Sequence, residues 1–141
     1  MKTNIIGILL SPFLVMAQQN GGAWSNIGPS PAAVQAIAVD PRGSGTIFMG
    51  TIGGGVRKSV DGGISWSAAN NGLADLVVHT LAMDASGPQT VYEGGSGLFK
   101  TNNGGATWQN LPGISGSVAA VSADPNRTGV VYAAVFLNLA N

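Results

Sequence analysis

The apolar positions of this chain fall into short runs that return three times in the same order. Val34-Gln35-Ala36-Ile37-Ala38-Val39-Asp40-Pro41 aligns with Val78-His79-Thr80-Leu81-Ala82-Met83-Asp84-Ala85 and with Val118-Ala119-Ala120-Val121-Ser122-Ala123-Asp124-Pro125, copies that start 44 and 40 residues apart. Six residues after each aspartate a second run begins: Thr46-Ile47-Phe48-Met49-Gly50, then Thr90-Val91-Tyr92-Glu93-Gly94, then Val130-Val131-Tyr132-Ala133-Ala134. In each, an aliphatic residue precedes an aromatic one. Runs this short, rich in β-branched and aromatic residues and bounded by Gly, Pro and Asp, read as strands. The first run of each copy is nearly all small and apolar, which predicts an innermost strand buried on both faces.

Between these runs lies an octet written twice, Ser59-Val60-Asp61-Gly62-Gly63-Ile64-Ser65-Trp66 and, 42 residues later, Thr101-Asn102-Asn103-Gly104-Gly105-Ala106-Thr107-Trp108. Asp and Asn bond their own backbone two residues on, and the glycines accept the positive φ of a tight turn between antiparallel strands. The tryptophan then opens the return strand. One unit therefore reads as strand a (34 to 39), a turn on Asp-Pro, strand b (46 to 51), a Gly-rich turn, strand c (56 to 59), the octet turn, and strand d from Trp66. Four short antiparallel strands per unit match the period of a propeller blade and exclude leucine-rich or helical repeats.

The octet resembles the Asp box, S-x-D-x-G-x-T-W, of the BNR and sialidase-like β-propeller repeats. The resemblance covers residues 22 to 135. Three positions depart from it, Thr101 for Ser, Asn103 for Asp and Ser65 for Thr, and each keeps its hydrogen-bonding capacity. The expected fold class is all-β, with blades of four antiparallel strands in an incomplete propeller of about 2.5 to 3 blades. The expected boundaries are a lone outer strand d over 18–27, blade 1 over 34–69, blade 2 over 78–111 and the first half of blade 3 over 118–135. Propellers close with 4 to 8 blades, so the chain is expected to be a piece of a longer propeller. A short protein that closes a ring by self-association through its open blade edges is the competing expectation.

Composition narrows the class further. With 22 Gly, 45% hydrophobic and 9% charged residues, the chain is neither a disordered polyelectrolyte nor a helical bundle. The formal net charge is zero and the basic residues are scattered, so nothing steers the protein to nucleic acid. Lys2, the apolar run from Ile5 to Val15 and the small Ala17 read as a signal peptide over 1–17, cleaved after Ala17. The run is shorter than the roughly 20 residues that span a bilayer. The mature chain is thus expected to be secreted or periplasmic, with no membrane span. It has no cysteine and one histidine, so no disulfide, cofactor or dedicated metal site is expected.

In a four-stranded blade the a-b and c-d turns share one face of the disc, and the b-c and d-a connections share the other. This separates the polar residues. The octet residues Ser59, Asp61, Gly63, Ser65 and Trp66, with Thr101, Asn103, Gly105, Thr107 and Trp108, are expected to be structural, and Asp40, Asp84 and Asp124 to form turns. The mouth-side candidates for ligand binding are Asn70, Asn71, Asp75, Glu93, Ser96 and Asn110, residue types that suit the donors and acceptors of sugar hydroxyls. Loop residues that bind nothing would look the same.

A glycosidase needs two carboxyl groups roughly 5 to 9.5 Å apart, and on the mouth side Asp75 and Glu93 are the pair available. The resemblance implies three arginines and a Tyr/Glu nucleophile for a sialidase. Arg42 and Arg127 fall on the other face, Arg57 lies on strand c, and Tyr92 and Tyr132 repeat Phe48 as core rings. His79 is expected to be a packed side chain. The resemblance implies a range of functions, from sialidases and xyloglucan-degrading hydrolases to sortilin-like receptors, lectins and a photosystem assembly factor. No catalytic residue is assigned. The leading expectation is a binding or scaffold module for an extracellular glycan or protein, with a glycoside hydrolase completed by further blades, or a self-assembling lectin-like ring, as alternatives.

Overall fold

The computed structural model describes residues 33–137 in full and the backbone of 16–20 and 23–26. The signal peptide expected over 1–17 falls, through residue 15, outside the described residues. Strand β1 (Met16–Asn20) pairs antiparallel with β2 (Ala23–Asn26), matching Gln19 to Trp24. The outer strand expected to stand alone at 18–27 therefore has a partner within its own hairpin.

Two four-stranded antiparallel sheets follow. The first is β3 (Ala33–Val39), β4 (Ile47–Ile52), β5 (Gly55–Ser59) and β6 (Ser67–Ala68). The second is β7 (Thr80–Met83), β8 (Val91–Gly94), β9 (Leu98–Thr101) and β10 (Gln109–Asn110). A two-stranded sheet, β11 (Ser117–Ala123) and β12 (Val131–Phe136), completes the described residues. From Ala33 to Phe136 the strands follow the order that the periodicity predicts. The a-b turn closes identically in every copy, with the amides of Asp40, Asp84 and Asp124 donating to the carbonyls of Thr46, Thr90 and Val130 at 3.0, 2.9 and 2.9 Å. The outer strands are shorter than expected, two residues each, and the tryptophans stand just before them rather than within them.

The octets fold alike. Ser59 Oγ accepts the Gly63 amide at 2.8 Å and donates to Asp61 at 2.7 Å, while Asp61 accepts the Ser65 amide at 2.9 Å. Thr101, Asn103 and Thr107 repeat these bonds. Asn103 for Asp61 reverses one proton: Ser65 Oγ donates to the Asp61 carboxylate, whereas Asn103 Nδ2 donates to Thr107 Oγ1 at 2.8 Å. Gly63 and Gly105 sit at φ of 94° and 86°, a region that side chains avoid. The Ser65 hydroxyl, with the Ser65 amide and the Ser59 hydroxyl, holds the Asp61 carboxyl down at about 2.

The apolar core lies between blades rather than within them. Phe48 and Val56 of blade 1 pack with Val78, Leu81, Val91, Phe99 and Trp108 of blade 2, and a smaller cluster of Tyr92, Leu98 and Val118 joins blade 2 to blade 3. The second octet locks the first joint. Trp108 is 3% exposed and donates its indole N–H to the Ala69 carbonyl at 2.8 Å, and Lys58 donates to the Gly104 carbonyl at 2.8 Å. On the turn face Arg42 donates to the Ser86 carbonyl at 3.1 Å, and Asp84 accepts the Gly129 amide at 2.8 Å. The inner strand β7 lies between β3 and β11. It alone of the three approaches the burial expected of an inner strand. Ile37 and Val39 on β3 remain 46% and 57% exposed because no blade flanks their side among the described residues.

Glycines 50 and 94 set how closely blades approach. A Cβ at Gly50 would lie 2.3 Å from Val78 Cγ1, and one at Gly94 would lie 2.6 Å from Val118 Cγ1. The substitution Gly50→Ala is therefore expected to destabilise the chain by about 1–3 kcal/mol, and Val78→Ala in the same molecule to recover part of that loss. Denaturant unfolding of the two single variants and the double variant tests this; additive losses would contradict the close approach.

Candidate functional site

The turn bonds divide the molecule as the strand order demands. Gly62 and Gly104, in the octets, donate to Gly45 and Gln89 in the a-b turns, so these turns share one face. At the other end Gly53 and Gly55 both donate to the Leu76 carbonyl at 2.8 and 3.0 Å, and Val78 donates to Thr51. The b-c turn of blade 1 and the 70–77 connection are thereby held together as one mouth-side surface.

Glu93 is the unusual residue of that surface. It sits on β8 opposite Leu81 of β7 and Phe99 of β9, on the sheet face whose neighbours belong to the blade 1–blade 2 core. The same column holds Met49 in blade 1 and Ala133 in blade 3. Glu93 is 3% exposed. Loss of water around the carboxyl, reinforced by the negative charge of Asp75, pushes its pKa from 4.5 up to about 8. Asp75 is exposed and pinned by the Val77 amide, which donates to its carboxylate at 2.8 Å. The glycine at 95 is required here, since a Cβ would stand 2.3 Å from the Val77 carbonyl and 2.9 Å from Glu93 Oε1.

The remaining candidates separate. Ser96 is exposed at the tip of the Gly95–Gly97 turn, and exposed Asn110 reaches the same turn, its amide nitrogen 3.2 Å from where a Cβ of Gly97 would be. Asn70 is engaged by the fold: its carbonyl oxygen accepts the Val56 amide at 2.7 Å and its amide donates to Gly54 at 3.2 Å. Asn71 lies in the seam beside the second octet, its carbonyl accepting the Trp108 amide and its side chain donating to Ala106 at 3.4 Å. The structure thus gathers Asp75, Glu93, Ser96 and Asn110 at the mouth and leaves Asn70 and Asn71 to backbone support.

Two further residues stand there. His79, expected to be packed, is exposed, with Nδ1 3.3 Å from Ser117 Oγ and 3.4 Å from the Val118 carbonyl; Ser117 donates to Gly95 at 3.3 Å. The signal for Ser117 lay in the repeat alignment, where it immediately precedes Val118 on the strand beside His79. Among the described residues no group of three or more His, Cys, Asp or Glu side chains is placed to hold a metal ion.

A cavity of about 430 Å³ opens at the opposite end of the inner strands, lined by Ile37, Val39, Met83 and Ala123 among others. Its carboxylates are already occupied. Asp84 accepts the amides of Ser86 and Gly129, and Asp124 those of Asn126 and Arg127. At the mouth the Glu93 carboxyl, its pKa raised by burial, lies within electrostatic reach of the Asp75 carboxylate.

No protein-family model matches the chain. Its architecture has solved counterparts. An ancestral GH74 enzyme superposes over 78% of the chain with a TM-score of 0.68 and 25% identity, and the Niastella koreensis GH74 enzyme over 62% with a TM-score of 0.51 and 28% identity. The chain is a run of β-propeller blades. A probable oligoxyloglucan-reducing end-specific xyloglucanase of Neosartorya fischeri is 30% identical over 89 residues, 56% of the chain. The chain spans 11% of that relative's length, and 14% and 15% of the two GH74 enzymes.

The Glu93 carboxyl yields a prediction of sign as well as size. Its folded pKa lies above the ordinary value, so the stability contributed by the protonated form is complete below about pH 4.5 and is lost as pH rises toward about 8. The folded chain is expected to lose about 3 kcal/mol between pH 4.5 and 7 through this group. Denaturant unfolding across that window should show the slope in the parent chain, a flatter line for Glu93→Gln and an intermediate one for Asp75→Asn. An unchanged slope in Glu93→Gln would refute the assignment.

Proposed function

We propose that these blades belong to an exported glycoside hydrolase of the BNR/Asp-box propeller type, directed at a β-glucan such as xyloglucan, and that their mouth contacts the glycan. The observation that carries this reading is the buried carboxyl of Glu93, placed beside Asp75 at the seam of two blades. A carboxyl in an otherwise apolar column weakens the fold, and such groups concentrate where chemistry or binding needs them. Ser96, Asn110 and Ser117 around it supply donors and acceptors for sugar hydroxyls. The likeness to GH74 enzymes supports the substrate class. In this reading the octets are Asp boxes in a structural role, far from the sugar.

A neutral Glu93 donates a hydrogen bond or a proton, while Asp75 offers an acceptor next to it. Which further residues complete hydrolysis belongs to the whole protein. The contribution of these blades is testable directly: titration of the ¹⁵N-labelled chain with xyloglucan oligosaccharides should shift amides of 75–79, 93–97 and 110–117. Binding should weaken at least tenfold in Glu93→Ala with Asp75→Ala. Shifts confined to the octets, or no saturable binding to xyloglucan, cellulose or other β-glucan oligosaccharides, would overturn the reading.

A further inference from the structure

The joint between the two complete blades runs through a tight turn. The Asn70 carbonyl accepts the Leu73 amide at 3.0 Å, and Asn71 and Gly72 form the corner, with Gly72 at φ of 95°. The corner is pressed onto the tryptophan of the second octet. The Asn71 carbonyl accepts the Trp108 amide at 2.8 Å, and a Cβ at Gly72 would lie 2.2 Å from the Trp108 carbonyl oxygen. The side chain of Asn71 is nonetheless exposed, and the bond that it makes among the described residues, to the Ala106 carbonyl, is 3.4 Å long.

An asparagine before a glycine carries an electrophile and a nucleophile in one dipeptide. The glycine amide nitrogen, once deprotonated, can attack the side-chain carbonyl carbon of the asparagine, because glycine has no side chain to crowd the approach. Whether it does so depends on how firmly the fold holds both groups. The second octet contains the same dipeptide, Asn103-Gly104, in a closed form. The Asn103 side-chain oxygen accepts from Thr101 Oγ1 and from the Thr107 amide, both at 2.9 Å, and its nitrogen donates to Thr107 Oγ1 at 2.8 Å. Gly104 is buried and its amide donates to the Gln89 carbonyl at 2.9 Å. At Asn71 both groups are loose. Gly72 is exposed, and among the described residues its amide donates to nothing.

We propose that Asn71 is a site of spontaneous deamidation, and that its isoaspartate product loosens the joint between blades 1 and 2. The Gly72 nitrogen loses its proton to hydroxide and bonds to Asn71 Cγ, the side-chain nitrogen leaves as ammonia, and a succinimide ring remains. Water then cleaves either the new bond to Cγ, giving aspartate, or the original main-chain bond, giving isoaspartate. One water is consumed and one ammonia released, with no oxidation or reduction. Aspartate at this position sets an acceptor against the Ala106 carbonyl, itself an acceptor. Isoaspartate routes the main chain through Cβ and lengthens it by one carbon, at a corner where Trp108 leaves no room. The shift strains the bonds that Trp108 makes to Asn71 and to nearby Ala69.

The test ages the full chain in mildly alkaline buffer and follows it by tryptic mass mapping. Cleavage after Lys58, Lys100 and Arg127 puts Asn71 in peptide 59–100 and Asn103 in peptide 101–127. In the folded chain the amide-to-carboxyl mass gain should accumulate at Asn71 about fivefold or more faster than at Asn103. Enzymatic carboxyl methylation should identify isoaspartate in the modified peptide 59–100. In denaturant the two rates should converge, because both dipeptides are then free. Asn71→Gln, which keeps the amide but disfavours the ring, should abolish the gain at that position. The fraction modified at Asn71, separated by its added negative charge, should unfold at a lower denaturant concentration than the unaged chain, while Asn71→Gln aged alongside keeps its own midpoint. Equal rates at the two asparagines in the folded chain, or an unaltered midpoint in the modified fraction, would overturn the proposal.

Discussion

The distance between neighbouring blades governs this structure, and it is set where the backbone at Gly50 and Gly94 meets the side chains of Val78 and Val118. Each sheet has too little interior of its own to exclude water. Its apolar residues become a core when the next sheet arrives within van der Waals contact, which a Cβ at either glycine would prevent. Phe48, Val56, Val78 and Trp108 share one cluster for that reason. The octet then serves as a latch as well as a turn. Its knot of hydroxyl, amide and carboxylate or carboxamide rigidifies the hairpin, and its glycine, carbonyl and tryptophan are offered to the blade before. Trp108 is buried under Ala69 and Lys58 reaches the Gly104 carbonyl, so stability is a property of joints, as in repeat architectures generally.

Much of the fold was legible because the turn chemistry and the strand pattern recur together. Asp40, Asp84 and Asp124 mark the same turn, and aliphatic-aromatic pairs mark strand b each time. The pattern also assigned the turns to their faces correctly, as the bonds from Gly62 to Gly45 and from Gly53 to Leu76 demonstrate. Burial of the inner strands was less legible, because it depends on neighbours on both sides, which Ile37 and Val39 lack among the described residues. Of the mouth-side candidates, Glu93 stood out in the sequence because it interrupts a column otherwise filled by Met49 and Ala133. Asn70 and Asn71 were not separable from true surface residues, because an asparagine that serves Val56 or the Trp108 seam has the same local sequence as one facing solvent. His79 and Ser117 come together across two inner strands, a proximity that spacing along the chain does not encode.

The joint and the mouth are linked physically. The seam that buries Val91 and Phe99 also surrounds Glu93 on the same sheet face, so the apolar contact that joins the blades is what keeps that carboxyl protonated near neutrality. Asp75 adds its charge from a connection held to the preceding blade through Leu76. A local change in blade spacing would therefore alter both stability and the acidity of the mouth.

Native-state hydrogen exchange on the Trp108→Phe chain addresses the latch directly. This change keeps an aromatic ring in the core but trims the indole to a single ring and leaves the Ala69 carbonyl without its donor, the lost hydrogen bond alone costing about 1–3 kcal/mol for a buried acceptor. If joints carry the stability, amides of blade 1 around Val56 and Ala69 should lose protection by about fivefold or more, in step with those of β8 and β9. Loss of protection confined to residues 101–110 would contradict the account and reduce the octet to a local turn.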